Sequence, residues 1–171
     1  SFLHIHLGFD ATNLIDLPIH TIWVDDWGRG ITADRNVAVF SIPSVLDPTM
    51  APQNKHVLHG YTPANEPWEI WKNIDPRSKE YRDLKEVRCS IFIDALKNII
   101  PDIENRIEVK MLGTPLTHKF FTNTEYGSYG PAISASKTLF PGCRTPIKNL
   151  FTCGASTFPG IGVPAVAASG A

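Results

Sequence analysis

The amino-acid sequence predicts an α/β fold in which an antiparallel or mixed sheet is flanked by helices. Apolar residues alternate with others through residues 1–10, which is the period of a strand with one buried face. Further strand-like runs follow at regular intervals, separated by Pro and Asn, a spacing typical of antiparallel sheets rather than of βαβ units. Residues 78–100 repeat apolar side chains at the period of a helix.

The first predicted strand, residues 1–10, presents an apolar face and a polar face. The apolar face consists of Leu3, Ile5, Leu7 and Phe9. His4 and His6 share the opposite face, because side chains two apart in a strand point the same way. A metal site needs at least a third protein ligand, and none is evident beside them. We therefore expect a polar strand face and no metal.

Four more strands are predicted in the first two thirds of the chain. They cover residues 20–27, 37–42, 55–61 and 107–113. Within residues 55–61, His56 and His59 lie three apart, so they are expected to face opposite sides of the sheet. Residues 114–117 predict the opening of a short helix with Pro115 at its first position.

The clearest predicted helix covers residues 78–100 and ends before Pro101. Ser78 or Asp75 is suited to cap its start. The predicted buried face consists of Tyr81, Leu84, Val87, Ile91, Phe92, Ala95, Leu96 and Ile99. The predicted solvated face consists of Lys79, Glu80, Arg82, Asp83, Lys85, Glu86 and Arg88. We expect these charges to need no partner.

A shorter helix is predicted at residues 67–74, with Trp68 and Trp71 three residues apart. Two aromatic side chains at this spacing suit core packing, the wall of a pocket or contact with a membrane interface. Core packing is the default for aromatic residues. The sequence leaves the other two roles open.

Composition excludes several classes of protein. The formal net charge is −1, so there is no electrostatic footprint for nucleic acid. Three cysteines without a CxxC pair make neither an even disulfide framework nor a zinc spacing. No apolar run reaches the roughly 20 residues of a membrane span. Because the chain begins at Ser1 in a strand-like pattern and stops at Ala171 in a helix-like one, we expect a segment of a longer polypeptide.

Residues 149–171 combine a short apolar run, a glycine-rich turn and a run of small residues. We expect residues 150–153 to form a buried strand, with Cys153 as an ordinary buried cysteine. The three glycines of the turn, Gly154, Gly160 and Gly162, have no Cβ, so the backbone there can approach a bulky ligand closely. Pro164 suits the first turn of a thin helix, whose start suits an anion or an electron-rich ring.

No acid–base or nucleophilic set emerges from the sequence. GxSxG, HExxH, P-loop and GxGxxG motifs are all missing, so the catalytic residues are unknown. This pattern fits a protein whose reactive chemistry belongs to an organic cofactor. Residues 126–131, rich in Gly and Tyr, suit the lining of a flat ligand. His118 suits a pocket, a cap or a surface position equally.

Residues 150–164, Leu-Phe-x-x-Gly-Ala-Ser-Thr-Phe-Pro-Gly-Ile-Gly-Val-Pro, resemble the C-terminal flavin motif of the phytoene desaturase and carotenoid isomerase family. Other segments resemble prolycopene-isomerase-like members, namely residues 1–10, 41–44, 56–63, 113–118 and 127–131. The resemblance covers nearly the whole chain, and the glycine–proline motif is its most specific part. The chain departs from many isomerase-like members at Ala155, where those proteins carry Asp. Bacterial desaturases show a similar Ala at this position.

The resemblance implies the C-terminal part of a two-domain, Rossmann-like FAD oxidoreductase fold. Residues 1–140 would form the substrate and flavin-covering half, with the mixed or antiparallel sheet. Residues 141–171 would return to the FAD-binding half as its last strand and the start of a C-terminal helix. The GxGxxG half would precede Ser1. The implied FAD-binding residues are Gly154, Ala155, Ser156, Pro159, Gly160, Ile161, Gly162, Val163 and Pro164.

For function, the resemblance implies a segment of an FAD-dependent carotenoid cis–trans isomerase acting on a poly-cis polyene such as prolycopene. A carotenoid desaturase or other oxidoreductase, and a non-catalytic subunit of a pigment–protein complex, remain alternatives. We expect the full-length protein to be an enzyme with a carotenoid substrate, peripheral membrane contact and no nucleic-acid partner. Other subunits of a larger complex are an open alternative. The implied location is the plastid, or the cytoplasmic membrane surface in a bacterium.

Overall fold

The computed structural model describes residues 1–130 and 140–171. They divide into two compact units, Ser1–Gly127 and Ser128–Ala171. Among the described residues, the strands all lie in the first unit and are β1 (His4–Asp10), β2 (His20–Val24), β3 (Val37–Ser41), β4 (Lys55–Tyr61) and β5 (Ile107–Gly113). The helices of the first unit are α1 (Lys79–Leu96), α2 (Ile103–Arg106) and α3 (Pro115–Thr122), and the second unit contains α4 (Val163–Ser169).

The five strands form one sheet in the order β2-β3-β4-β1-β5. Every neighbouring pair is antiparallel, which confirms the predicted antiparallel sheet. Strand β4 has the predicted bounds. Strand β2 ends earlier than predicted, because the Asp26 side chain accepts the Gly28 N–H at 2.7 Å and starts a 3₁₀ turn at Trp27–Arg29.

One face of the sheet packs against α1 and forms the core. The alternating residues that were predicted to form the buried face of the first strand are at most 3% exposed: Leu3, just before β1, and Ile5, Leu7 and Phe9 within it. Phe40 of β3 meets Phe92 of α1 edge to face, with ring centroids 6.2 Å apart. The alternation in β1 therefore identified the correct face of the sheet.

Helix α1 begins as predicted, because the Ser78 hydroxyl accepts the Tyr81 N–H at 3.0 Å and caps the helix. It ends at Leu96, four residues before the predicted end. The expected burial of Val87 is wrong, since this side chain is 60% exposed. At 3.6 residues per turn Val87 lies about 140° around the helix from Phe92, whereas Arg88 lies only about 40° from it.

The expectation that Arg88 lies on the solvated face of α1 is wrong. Its side chain is 11% exposed and lies 2.8 Å from a carboxylate oxygen of Glu66, which is 2% exposed. A second bond joins Arg88 Nε to the other Glu66 oxygen at 3.0 Å. Asp34 also binds the guanidinium. The helix therefore presents a buried ion pair at its edge.

The two tryptophans of residues 67–74 have different environments. A single 3₁₀ turn, Trp68–Ile70, replaces the predicted helix. Trp71 is fully buried and donates its indole N–H to Glu66 at 2.8 Å. Trp68 is half-buried beside Tyr126 and has the Lys119 ammonium 5.1 Å from its ring centroid. Only Trp68 is therefore placed to meet a surface.

Gly60 of β4 is predicted to tolerate no side chain. A Cβ there would lie 2.8 Å from Ile5 and 2.8 Å from Phe40 in the core. We expect Gly60→Ala to lower the free energy of unfolding by about 1–3 kcal/mol, as overpacked cores do. Urea denaturation measures this. Gly8→Ala is the control, because its Cβ would meet Val109 at an ordinary 3.4 Å. Equal destabilisation by both changes would refute the steric account.

Among the residues that the structure describes, no helix is both long enough and apolar enough to cross a membrane.

Candidate functional site

The sheet face opposite α1, here called the open face, carries imidazole and apolar side chains. It takes every second residue of three strands: His4 and His6 of β1, His59 and Tyr61 of β4, and Val109 and Met111 of β5. Val109 is 51% exposed and Met111 is 59% exposed. Because exposed apolar groups in a sheet are unfavourable without a ligand or partner, this face is a candidate binding surface.

Antiparallel pairing brings three histidines of the open face together. His6 lies directly opposite His59, and their rings stack with centroids 4.6 Å apart. His4 Nδ1 lies 2.7 Å from His59 Nε2, so one ring donates and the other accepts. The sequence pattern predicts that His4 and His6 share a face, but it does not reveal His59 as their neighbour.

Burial disfavours the charged forms of two histidines of this cluster, His4 and His59. The pKa of His4 is lowered to about 3, first by burial and then by His118, His59 and His6. Burial, followed by the charge of His6, also lowers the pKa of His59. Helix α3 adds His118, whose ring centroid is 4.6 Å from that of His4. Of the three positions that the sequence left open for His118, the structure therefore favours the one beside a candidate site.

An open groove of about 380 Å³ runs beside the histidines. Its lining is mostly apolar and consists of His6, Leu7, Gly8, Pro43, Val57, Leu58, His59, Val109 and Met111. Ligand sites are typically apolar clefts with a few placed polar groups. This groove has that character, with two imidazoles as its polar groups.

The nine predicted FAD-binding residues form one loop and the first turn of α4 in the second unit. Gly154, Gly160 and Gly162 have φ values of 117°, 117° and 104°, which glycine adopts readily. A Cβ at Gly154 or Gly162 would meet nothing within 4 Å. The Gly154 N–H donates to the Ser169 hydroxyl at 2.8 Å and ties the loop to α4.

The remaining members of this loop are mainly exposed. Ala155 is half-buried, whereas Ser156 and Pro159 are exposed. Ile161 is 57% exposed and Val163 is 84% exposed. Pro164 lies in the first turn of α4, as predicted. The loop thus offers bare backbone and apolar side chains to a ligand, although its role in FAD binding stays a prediction.

The expectation of a buried strand at residues 150–153 is wrong. Leu150 is 49% exposed and Phe151 is 65% exposed. A single bridge between Arg144 and Phe151 is the only ladder pairing here among residues 140–171, so no sheet covers the side chains. Cys153 is exposed for the same reason. The apolar residues predicted a buried strand, but this segment pairs with other residues at one position only and its side chains stay exposed.

The predicted ligand lining at residues 126–131 is described only as far as Gly130, since Pro131 lies outside the described residues. Tyr126 is 53% exposed and Tyr129 is 37% exposed, while Gly127 is buried. A Cβ at Gly127 would lie 2.2 Å from the Pro115 carbonyl oxygen. Gly127 therefore serves close packing against α3.

No protein-family model matches the chain, but individual proteins are similar to it. Prolycopene isomerase 2, chloroplastic, of an Oncidium hybrid cultivar is 37% identical over 176 residues, which cover 99% of this chain and 29% of the relative. Prolycopene isomerase, chloroplastic, of Arabidopsis thaliana is 37% identical over 175 residues, with the same coverage of 99% and 29%.

A more distant relative has a different name. All-trans-retinol 13,14-reductase of Danio rerio is 32% identical over 165 residues, covering 86% of this chain and 27% of the relative. The chain thus spans less than a third of the length of these relatives, and the similarity runs along nearly all of its own residues. Over 99% of its sequence, the chain therefore belongs to the prolycopene-isomerase-like family.

Proposed function

We propose that the protein is an FAD-dependent carotenoid isomerase of the plastid that converts a poly-cis polyene such as prolycopene. The similarity to two plant prolycopene isomerases over 99% of the chain carries this proposal. A related oxidoreductase, including a desaturase, is the second candidate, favoured by the similarity to a retinol reductase. The chloroplastic names of the plant relatives support the location.

The groove on the open face supports a polyene substrate. A carotenoid is a long apolar chain, and each Å² of apolar surface removed from water contributes about 25 cal/mol. Val57, Val109 and Met111 would contact the chain on the groove wall. Burial lowers the pKa of His4 and of His59, which favours their uncharged forms, and an uncharged imidazole costs less to desolvate than a charged one.

The loop of the second unit fits a flavin on two observations. Gly154 and Gly162 leave open space where any other residue would place a Cβ, so their backbone can lie against a flat ring. Ile161 and Val163 are exposed apolar groups that such a ring would cover. FAD, when bound, would donate electrons to the polyene or accept a hydride from it. The chain's own residues bind and orient it and exclude water.

We further propose that residues 1–140 form the substrate half of a two-domain, Rossmann-like fold and that residues 141–171 return to the FAD-binding half. The separation into two compact units supports a division, with the change of unit at Gly127 and Ser128. Peripheral contact with a membrane is supported by Phe120 and Phe121 of α3, which are 80% and 78% exposed.

Flavin content of the purified full-length protein tests the cofactor proposal. We expect bound FAD in the unchanged protein, and a drop in FAD affinity of about fivefold or more in Gly162→Ala, because the new methyl group enters the space proposed for the ring. Gly30→Ala is the matched control, since Gly30 also has positive φ and open space but lies in the other unit.

The control separates backbone strain from loss of contact. Both changes place Ala at positive φ and should cost similar stability, about 1–2 kcal/mol. Flavin retained by Gly30→Ala and lost by Gly162→Ala supports the site. A protein that neither purifies with flavin nor takes it up would end the proposal.

A further inference from the structure

We propose that His4, His6 and His59 bind a divalent transition-metal ion, with Zn²⁺ as the representative ion. The three residues each offer one ring nitrogen, and these nitrogens all lie within 4.8 Å of one another. The proposal rests neither on flavin binding nor on the reaction of the polyene, although His6 and His59 also line the groove proposed for the polyene. It reverses the sequence-based expectation of no metal, because the fold supplies the missing third ligand.

The sheet itself creates the arrangement. His4 and His6 project from the same face of β1, and His59 is the antiparallel partner of His6. Two of the ligands therefore come from β1, at positions i and i+2, and the third comes from β4, the strand paired with β1. Residues held on regular strands are positioned more precisely than residues on loops.

Ion binding requires the ligating nitrogens to move closer together. Zn–N bonds are about 2.0–2.1 Å long, so two nitrogens on a tetrahedral ion lie about 3.4 Å apart. The widest nitrogen pair in the cluster, 4.8 Å at most, must therefore close by up to about 1.4 Å. His6 is exposed, so its side-chain torsions can change without displacing core residues.

An unsatisfied polar atom provides a second observation. His4 Nε2 is buried and has no hydrogen-bond partner among the residues that the structure describes, while His4 Nδ1 faces His59 at 2.7 Å. Buried polar atoms almost always have a partner, and an exception calls for an explanation. An ion ligated by His4 Nε2 would supply the missing partner.

The donor set determines the class of ion. Imidazole nitrogen suits Zn²⁺, Cu²⁺ and Ni²⁺, whereas Mg²⁺ and Ca²⁺ prefer oxygen ligands. Three protein ligands leave a fourth tetrahedral position open, as in zinc sites that bind water or a substrate. His6 and His59 also line the groove, so the open position would be accessible to small molecules.

Calorimetric titration of ZnCl₂ into the untagged full-length protein near neutral pH tests the site. We expect saturable binding of one ion per chain, no binding of MgCl₂, and at least a tenfold weaker Zn²⁺ affinity in His6→Ala and in His59→Ala. His20→Ala is the matched control, because His20 is an exposed histidine of the same sheet that bonds to Ser41 instead.

Circular dichroism melting of each variant shows whether it is folded. His6 is exposed, so His6→Ala gives a decision even if His59→Ala fails to fold. Absence of saturable Zn²⁺ binding, or an affinity in folded His6→Ala equal to that of His20→Ala, would overturn the proposal. Neither result bears on flavin binding, which is read separately by absorbance.

Discussion

Replacing Arg88 with Met is expected to lower the free energy of unfolding by about 3–5 kcal/mol. The change leaves the carboxylate of Glu66, which is 2% exposed, without its charged partner in the protein interior. An unpaired buried charge is among the costliest defects a point mutation can create. Urea denaturation of the purified protein measures the effect.

Two further variants identify the cause. Arg82→Met removes an exposed arginine of the same helix, whose guanidinium donates to the Arg77 carbonyl, and it should cost less than about 0.5 kcal/mol. Adding Glu66→Gln to Arg88→Met should recover part of the loss, because the amide oxygen still accepts the Trp71 N–H without a charge. Additive losses in the double variant would contradict the ion-pair account.

Trp71→Ala is expected to cost about 3–5 kcal/mol, as removal of a buried aromatic side chain does. Trp71 is fully buried, and its loss also deprives Glu66 of a hydrogen-bond donor. Trp68→Ala is the matched control, three residues away. Trp68→Ala mainly removes the contacts of the indole with Lys119 and Tyr126. The cation–π contact with Lys119 contributes about 0.5–1 kcal/mol at an exposed site.

The two tryptophan variants also separate stability from membrane contact. Thermal melting should show a large drop for Trp71→Ala and a small one for Trp68→Ala. If Trp68 meets a bilayer, Trp68→Ala should reduce liposome binding with the melting temperature nearly unchanged. A similar destabilisation by both variants would contradict the separate environments described above.

Periodic parts of the fold could be predicted from the sequence. Strict alternation identified the buried face of β1, and the turn residues around Lys55–Tyr61 gave the bounds of β4. Ser78 marked the start of α1 because its hydroxyl is a good cap. These signals are local, so no knowledge of neighbouring elements is needed to read them.

The other features depend on pairing between distant residues. His59 joins His4 only through the register of β4 on β1, which no local pattern reveals. Arg88 was predicted to be solvated because it is charged, yet Glu66, 22 residues earlier, completes its partner set. In the second unit, glycine and proline correctly predicted the turn that leads into α4. Burial of residues 150–153 would have required a neighbouring strand, which a local sequence pattern does not reveal.

The most direct test of the proposed function is the isomer composition of a poly-cis carotene incubated with the full-length protein and reduced FAD, resolved by chromatography. The account predicts conversion towards the all-trans form without a change in the number of double bonds. It also predicts at least about tenfold slower conversion in Met111→Lys, where a charge enters the apolar groove, but not in Ile22→Lys, which changes a 70% exposed residue of the same sheet outside the groove. Unchanged isomer composition with a flavin-loaded protein, or equal effects of the two lysine variants, would contradict it.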